Sequence, residues 1–293
     1  MKFGPFEGSI EDATCPLCID RNSSAQLIFK NRDGIGFYKC LGCNLMLASP
    51  RFTEESMLKI YENEAFADLS MYDNWSYEEW RQSRSRSYNI EQQKILLVKR
   101  YLPEKSRLLD VGCGTGLFVL EATRSGFLCE GIEPSMRLSG IGSNVLKVPV
   151  STVQIEDYNI TYKFNGIVIW DVLEHLYDPV RVMRRCGELL ESDGFLFLQV
   201  PNYKGISNSY KTQLHRLGLK NNFKHFGFPW HVYSFDRKSL SVLSRQAGFK
   251  PVLFESWSHL LKDGKTGSLS QIIINLARQQ CLSDYIVCVA QKY

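Results

Sequence analysis

The run Leu108-Leu-Asp-Val-Gly-Cys-Gly-Thr-Gly116 constrains the fold more than any other stretch of the chain. Apolar residues and an acid end a buried strand, three glycines at alternate positions turn the backbone sharply, and Leu117-Phe-Val-Leu-Glu-Ala-Thr123 starts a helix. Only glycine lets a backbone pass close beneath a ligand at such a turn without a clashing side chain. The spacing is G-x-G-x-G, not the G-x-G-x-x-G that cradles a dinucleotide pyrophosphate. The difference favours a nucleoside ligand without phosphate, with S-adenosylmethionine (SAM) the leading candidate.

Elements alternate downstream as a doubly wound α/β sheet requires. Phe127–Pro134 reads as the next strand and carries Glu133, 17 residues past Gly116. An acid there can accept hydrogen bonds from both ribose hydroxyls. Phe164–Asp171 is a further buried strand, followed by a helix over Val180–Glu191, a turn at Ser192–Gly194 and a strand over Phe195–Val200. Arg237–Gly248 reads as a helix, Lys250–Trp257 as a strand, Ser268–Gln280 as a helix and Asp284–Lys292 as the last strand.

The front of the chain is built differently. Cys15-Pro-Leu-Cys18 and Cys40-Leu-Gly-Cys43 are two C-x-x-C knuckles separated by 21 residues. Each tight turn can supply two of the four thiolates that tetrahedral zinc prefers. Short strands at Gln26–Lys30 and Gly36–Lys39 flank the hairpin signal Asn31-Arg-Asp-Gly34. The pattern is a zinc ribbon with ligands Cys15, Cys18, Cys40 and Cys43; a redox dithiol pair is the alternative. Four thiolates leave no open coordination position, so the zinc is expected to be structural, stapling a segment too small to build its own core. The ribbon can also contribute to a substrate pocket. The other five of the nine cysteines lie singly in apolar or glycine-rich surroundings and read as reduced packing residues.

The organisation expected is a zinc ribbon over 1–50, a helical connector over 51–103 and a SAM-binding domain over 104–293 with a lid at 202–235. The connector starts at an N-cap, Thr53, and its second helix runs from Tyr77 to Tyr101. Arg81, Arg84 and Arg86 suit a solvated helix face, or a segment closing over the cofactor. With 44% apolar and 23% charged residues and a formal charge of +4, the composition is that of an ordinary globular protein. No apolar stretch is long enough for a membrane helix, and a cytoplasmic location is the default expectation.

The Asp110–Gly116 turn, Glu133, the run Asp171-Val-Leu-Glu-His-Leu176 and Trp230-His-Val-Tyr-Ser-Phe-Asp-Arg-Lys-Ser-Leu240 together resemble the class I SAM-dependent methyltransferases. The chain is similar to the small-molecule group that includes ubiquinone-pathway O-methyltransferases. With its front-end ribbon it also resembles certain deoxysugar C-methyltransferases. The resemblance implies a seven-stranded Rossmann-like sheet closed by a terminal hairpin. It places Gly112, Gly114 and Gly116 along the methionine part of SAM with Asp110 beneath. Glu133 would hold the ribose, and Asp171, with Trp170 beside it, would lie near the sulfonium. The adenine contact would fall around Val150–Val153, where there is no clear acidic partner.

Methyl transfer from a sulfonium is an in-line displacement, helped by a general base when the acceptor is a hydroxyl or carbon acid. His175 is the first base candidate because it follows the strand end where the methyl group would lie; His231 and Tyr233 come next. Each histidine is also a candidate for a purely structural role. Asn202–His231 carries Lys204, Lys211, Arg216, Lys220 and Lys224 among interleaved aromatics, and residues 202–235 contain no acid. A solvated basic loop explains this. So does a lid for an anionic acceptor such as a nucleotide-linked sugar or another phosphorylated small molecule. RNA is a rival acceptor, since ribbons and basic aromatic segments suit nucleic acid. Against it, Asp171-Val-Leu-Glu174 lacks the Asn/Asp-Pro-Pro-Tyr/Phe pattern that resembles base methylation. A non-catalytic interaction protein on a methyltransferase fold is the third reading.

Overall fold

A computed structural model describes residues 2–3, 6–18, 24–31, 34–63, 86–206, 208–210, 213, 227–258, 276 and 278–293. Seven short strands occupy the front: β1 (Lys2–Phe3), β2 (Phe6–Glu7), β3 (Ile10–Glu11), β4 (Ala25–Lys30), β5 (Gly36–Cys40), β6 (Met46–Ser49) and β7 (Arg51–Phe52). Helix α1 (Glu54–Asn63) follows, its first turn capped where the Ser56 N–H donates to Thr53 Oγ1 at 3.3 Å. Next come α2 (Arg86–Lys99), β8 (Arg107–Val111), α3 (Leu117–Arg124), β9 (Leu128–Ile132) and α4 (Met136–Ile141). The remainder is β10 (Val150–Ser151), β11 (Phe164–Trp170), α5 (Pro179–Leu189), β12 (Leu190–Pro201), β13 (Tyr233–Ser234), α6 (Arg237–Gln246), β14 (Phe249–Trp257) and β15 (Tyr285–Lys292).

The main sheet has seven strands in the order β10-β9-β8-β11-β12-β15-β14. Counted along the chain within this sheet, that is 3-2-1-4-5-7-6. β8 pairs in parallel with β9 on one side and β11 on the other. Strand order therefore reverses between β8 and β11, and the carboxyl ends of strands at such a switch point form a ligand crevice. The seven-stranded α/β sheet matches the sequence expectation.

Two compact units share the chain: residues 1–58, 171–184 and 198–290, and residues 59–170, 185–197 and 291–293. In the second, Leu108, Leu109, Ile167, Val168 and Ile169 are fully buried. Such runs are what parallel strands covered on both faces demand. α3 buries Phe118, Val119, Leu120 and Ala122, and Tyr101 packs edge-on to Phe197 at 5.9 Å. The turn expected at Ser192–Gly194 is instead part of β12, because Leu190 is buried and already in the sheet. Lys292 Nζ donates to the Leu190 carbonyl and Gln291 Nε2 to that of Asp193, which holds the polar residues extended.

In the first unit, β4, β5 and β6 form an antiparallel ribbon over buried Ile35, Phe37, Leu45 and Leu47. Its fourth strand, β13, arrives from nearly two hundred residues later and pairs Tyr233 with Leu47 and Ser234 with Met46. α6 begins with a reciprocal capping box between Asp236 and Ser239. Of the expected elements, residues 77–85 of the connector helix and most of Ser268–Gln280 lie outside the described residues.

Candidate active site

β8 delivers the chain into the glycine turn, where Gly112, Gly114 and Gly116 all take positive φ (70°, 55° and 79°). A side chain at Gly116 would stand 2.9 Å from Val148 Cγ2, so packing as well as conformation demands glycine there. At Gly114 a Cβ would meet nothing within 4 Å. The backbone there faces open space, which a cofactor passing over the turn can fill. Glu133, one residue past β9, is 2% exposed; Oε2 accepts from the Gly114 N–H at 3.0 Å and Oε1 from the Ser135 N–H at 2.9 Å. Burial raises its pKa against these two bonds. Each oxygen keeps a second lone pair for a ribose hydroxyl.

Asp110, beneath the turn, is buried, and burial pushes its carboxyl up to about 8 against the opposing pull of Lys94. α2 contributes two residues that sequence reasoning missed. Lys94 Nζ lies 2.9 Å from Glu91 Oε1 and 5.5 Å from the centre of the Trp170 ring. Glu91 Oε2 and Trp170 Nε1 are buried polar atoms without a hydrogen-bond partner. Phe118 packs edge-on to the same indole. A ligand with an ammonium and a carboxylate suits this set, and the residues fit SAM. In the Val150–Val153 region, β10 pairs with β9 through Val150 and Ser151.

Asp171 begins the run that leaves β11. It holds φ at +56°, its N–H donates to the Gln199 carbonyl at 3.0 Å, and its Oδ2 accepts from Gln199 Nε2 at 2.6 Å. Gln199 has no motif to announce it. Glu174 is 1% exposed and both carboxylate oxygens are buried without a hydrogen-bond partner. Burial first, then the Asp171 charge, raises its pKa far above the carboxylate range. Its carbonyl accepts from the Val232 N–H at 2.9 Å.

His175 Nδ1 lies 3.0 Å from the Trp230 carbonyl. A carbonyl only accepts, so Nδ1 carries the hydrogen in neutral His175 and Nε2 is the lone-pair nitrogen. Burial lowers its pKa, opposed by that carbonyl. The His175 and His231 rings meet edge-to-face at 4.9 Å, and one ligand atom each from Glu174, His175 and His231 lie within 4.8 Å of one another. Gly227 makes room: a Cβ there would be 2.3 Å from His231 Nδ1. The structure thus gathers two of the three predicted base candidates around a third group, Glu174. Tyr233 is occupied differently, donating its hydroxyl to the Tyr177 carbonyl at 3.3 Å. The Arg51 guanidinium lies 4.3 Å from the Tyr177 ring centre and 5.2 Å from that of Tyr233.

The four knuckle cysteines bring their sulfurs within 4.8 Å of one another, with Cys15 and Cys43 at 3.5 Å. None of the nine cysteines is joined in a disulfide. The neighbouring Cys15 thiol and burial push the Cys43 thiol up, a cost that a bound cation reverses by taking all four as thiolates. The donor set fits zinc. In the basic segment, Lys204 pairs with Asp236. Lys211, Arg216, Lys220 and Lys224 lie outside the described residues.

A parallel switch point and a glycine turn with an acid on the neighbouring strand make this a nucleoside-binding type of α/β sheet. The methyltransferase-domain family matches residues 77–253, and the chain belongs to that family, within the class I SAM-dependent methyltransferases. A ubiquinone biosynthesis O-methyltransferase from Xanthomonas oryzae pv. oryzae is 35% identical over 105 residues, covering 33% of this chain and 44% of the relative. One from Bordetella avium is 29% identical over 160 residues, 50% of this chain and 62% of that protein. The chain thus spans about half the length of the curated relatives it matches. Magnesium protoporphyrin IX methyltransferase from Synechocystis PCC 6803, solved with bound S-adenosylhomocysteine, shares the fold at TM-score 0.52 and 14% identity. The match covers 82% of this chain and all of that one. No helix among the described residues is long and apolar enough to cross a membrane.

Proposed function

We propose that this protein transfers a methyl group from SAM to an oxygen atom of a small-molecule acceptor, and that the four-cysteine ribbon holds a structural zinc. The observation that carries the first part is the convergence of Glu174 and His175, a few residues past the end of β11 in the chain, with His231. Bound SAM supplies an electrophilic methyl group on its sulfonium. Glu133 would hold the ribose hydroxyls, and Gly112, Gly114, Gly116 and Asp110 would hold the methionine part. Trp170 and Asp171 would hold its reacting end. His175, kept neutral by burial, would take the acceptor's hydroxyl proton on Nε2, and His231 would back it as the second imidazole. Tyr233 orients the Tyr177 segment through its hydrogen bond and is not the base.

A second reading of the same group is favoured by the two unsatisfied oxygens of Glu174. One carboxylate and two imidazoles are a donor set for a divalent cation. Such an ion would satisfy those oxygens and acidify an acceptor hydroxyl bound to it. The acid-free basic segment over 202–235 supports an anionic acceptor of the phosphorylated or nucleotide-linked class.

The test is transfer of labelled methyl from SAM to a panel of nucleotide sugars, quinone precursors and RNA, with wild type, His175→Ala and Glu174→Gln. Labelled small-molecule product that falls about 10²–10⁴-fold in His175→Ala supports the reading. Labelling of RNA alone overturns it.

A further inference from the structure

We infer that the ribbon is the template that holds His231 against Glu174 and His175, so that metal binding by the four cysteines sets the geometry of the transfer site. The inference rests on the site reading above but is tested without it. β13 has two residues, too few to persist as a strand unless a sheet is already there to receive them. The sheet that receives it is the ribbon's, through β6. Val232, next to His231, is held on both sides. Its N–H donates to the Glu174 carbonyl at 2.9 Å and its carbonyl accepts from the Ala48 N–H at 3.4 Å. One residue thus joins the ribbon to the turn that carries Glu174 and His175.

Flanking contacts repeat the pattern. Phe228 meets the ribbon's Phe37 edge-to-face at 6.2 Å, and Trp230 meets Phe6 at 4.9 Å. Asn44, the residue after Cys43, takes φ of +68° and reaches the far end of the same segment, donating from Nδ2 to Asp236 Oδ2 at 3.2 Å. Its carbonyl accepts from the Tyr203 hydroxyl at 3.0 Å. Positions 228, 232 to 234 and 236 therefore all rest on the stretch between Phe37 and Ala48, which contains the second knuckle.

That stretch depends on the metal. β5 ends on Cys40, and the Asn44 N–H returns to the Cys40 carbonyl at 2.9 Å, closing the knuckle into the turn that leads to β6. A segment of this size has too little core to stay folded against four crowded thiols unless they are bridged. Without metal, β6 loses its register, β13 loses its neighbour, and His231 is released while the Gly112–Gly116 turn and Glu133 keep their own strands. Ala48, Asn44 and Leu47 are positioning residues here and do not touch the reacting atoms.

The experiment uses the full chain in three forms: zinc-loaded, zinc-stripped with a chelator, and the zinc-loaded Ala48→Pro variant, whose proline removes the N–H offered to Val232. Amide hydrogen exchange is followed by mass spectrometry over residues 228–236, SAM affinity by calorimetry, and metal content by spectrometry. The expected result is exchange over 230–234 at least about tenfold faster in both the stripped protein and the variant, with SAM affinity changed less than about twofold. Ala48→Pro should retain its zinc, which separates the strand junction from ribbon unfolding. Unchanged protection of 230–234 in the stripped protein, while 36–49 loses its own, overturns the inference. Exchange needs no turnover, so the outcome stands apart from whether an oxygen acceptor is ever found.

Discussion

Asp110→Asn is expected to make the protein more stable and less able to hold its cofactor. The carboxyl is 2% exposed, and burial lifts it from 3.8 to about 8, with Glu91 and Glu133 adding to the rise and Lys94 opposing it. The folded chain therefore keeps a proton that the unfolded chain releases above pH 4. Stability contributed by this group is fully present below the unfolded pKa and is lost as pH rises towards the folded value. Neutrality lies roughly three pH units above the unfolded pKa, and each unit is worth about 1.4 kcal/mol, an upper bound of about 4 kcal/mol. Local relaxation leaves about 2–4 kcal/mol, which for a chain of this size is on the order of 5–15 °C in Tm. Thermal melts of the cofactor-free protein between pH 5 and pH 8 are the assay. The variant should melt above wild type at pH 8, by a margin that shrinks towards pH 5. SAM should narrow the margin, because its ammonium compensates the acid in wild type alone, and calorimetry should show at least about tenfold weaker SAM binding in the variant. A margin that is negative, or constant with pH, refutes the reasoning.

The two glycines of the turn should separate fold from binding. Gly114→Ala meets no atom and carries only the conformational penalty of its positive φ, about 1–2 kcal/mol, yet occupies the space left for cofactor. It should melt within a few degrees of wild type and lose SAM affinity in calorimetry. Gly116→Ala also collides with Val148 and should lower Tm well beyond Gly114→Ala. If Glu174, His175 and His231 take a divalent cation, Mg²⁺ or Mn²⁺ at about a hundred times its Kd should stabilise the zinc-loaded protein by about 2.7 kcal/mol. Glu174→Gln should abolish that shift in a melting assay; an equal shift in both proteins would place the cation elsewhere. Gly227→Ala, whose new methyl would strike the His231 ring, should lower kcat while leaving SAM affinity in place.

Legibility of the site followed the range of the interactions that build it. The glycine turn could be read because its causes are local: strand, positive-φ turn and helix lie within a few residues. The cysteine knuckles were legible for the same reason, each pair being a single turn. Glu133 needed only the assumption that the next strand is parallel and adjacent, which the β8–β9 pairing bears out. Residues that act across the chain were harder. Nothing in α2 marks Glu91 and Lys94 as facing Asp110, because a helix with a charged pair at i, i+3 reads equally as a solvated face. Gln199 was invisible because a polar residue near the end of a buried strand has no motif, although it supplies two of the contacts that fix Asp171.

β13 is the sharpest case. Two residues, Tyr233 and Ser234, carry too little periodicity to be read as a strand. Their partners Leu47 and Met46 lie almost two hundred positions earlier. Such pairing is specified from the receiving side: a ribbon with a vacant edge exposes a row of backbone donors and acceptors, and a short segment that reaches it gains hydrogen bonds it could not form alone. Here the segment that fills the edge is the one carrying His231. An edge strand left open invites association, while a histidine on a long loop is poorly placed for proton transfer. Joining the two answers both problems with the same few hydrogen bonds, and ties the histidine's position to four cysteines at the other end of the sequence.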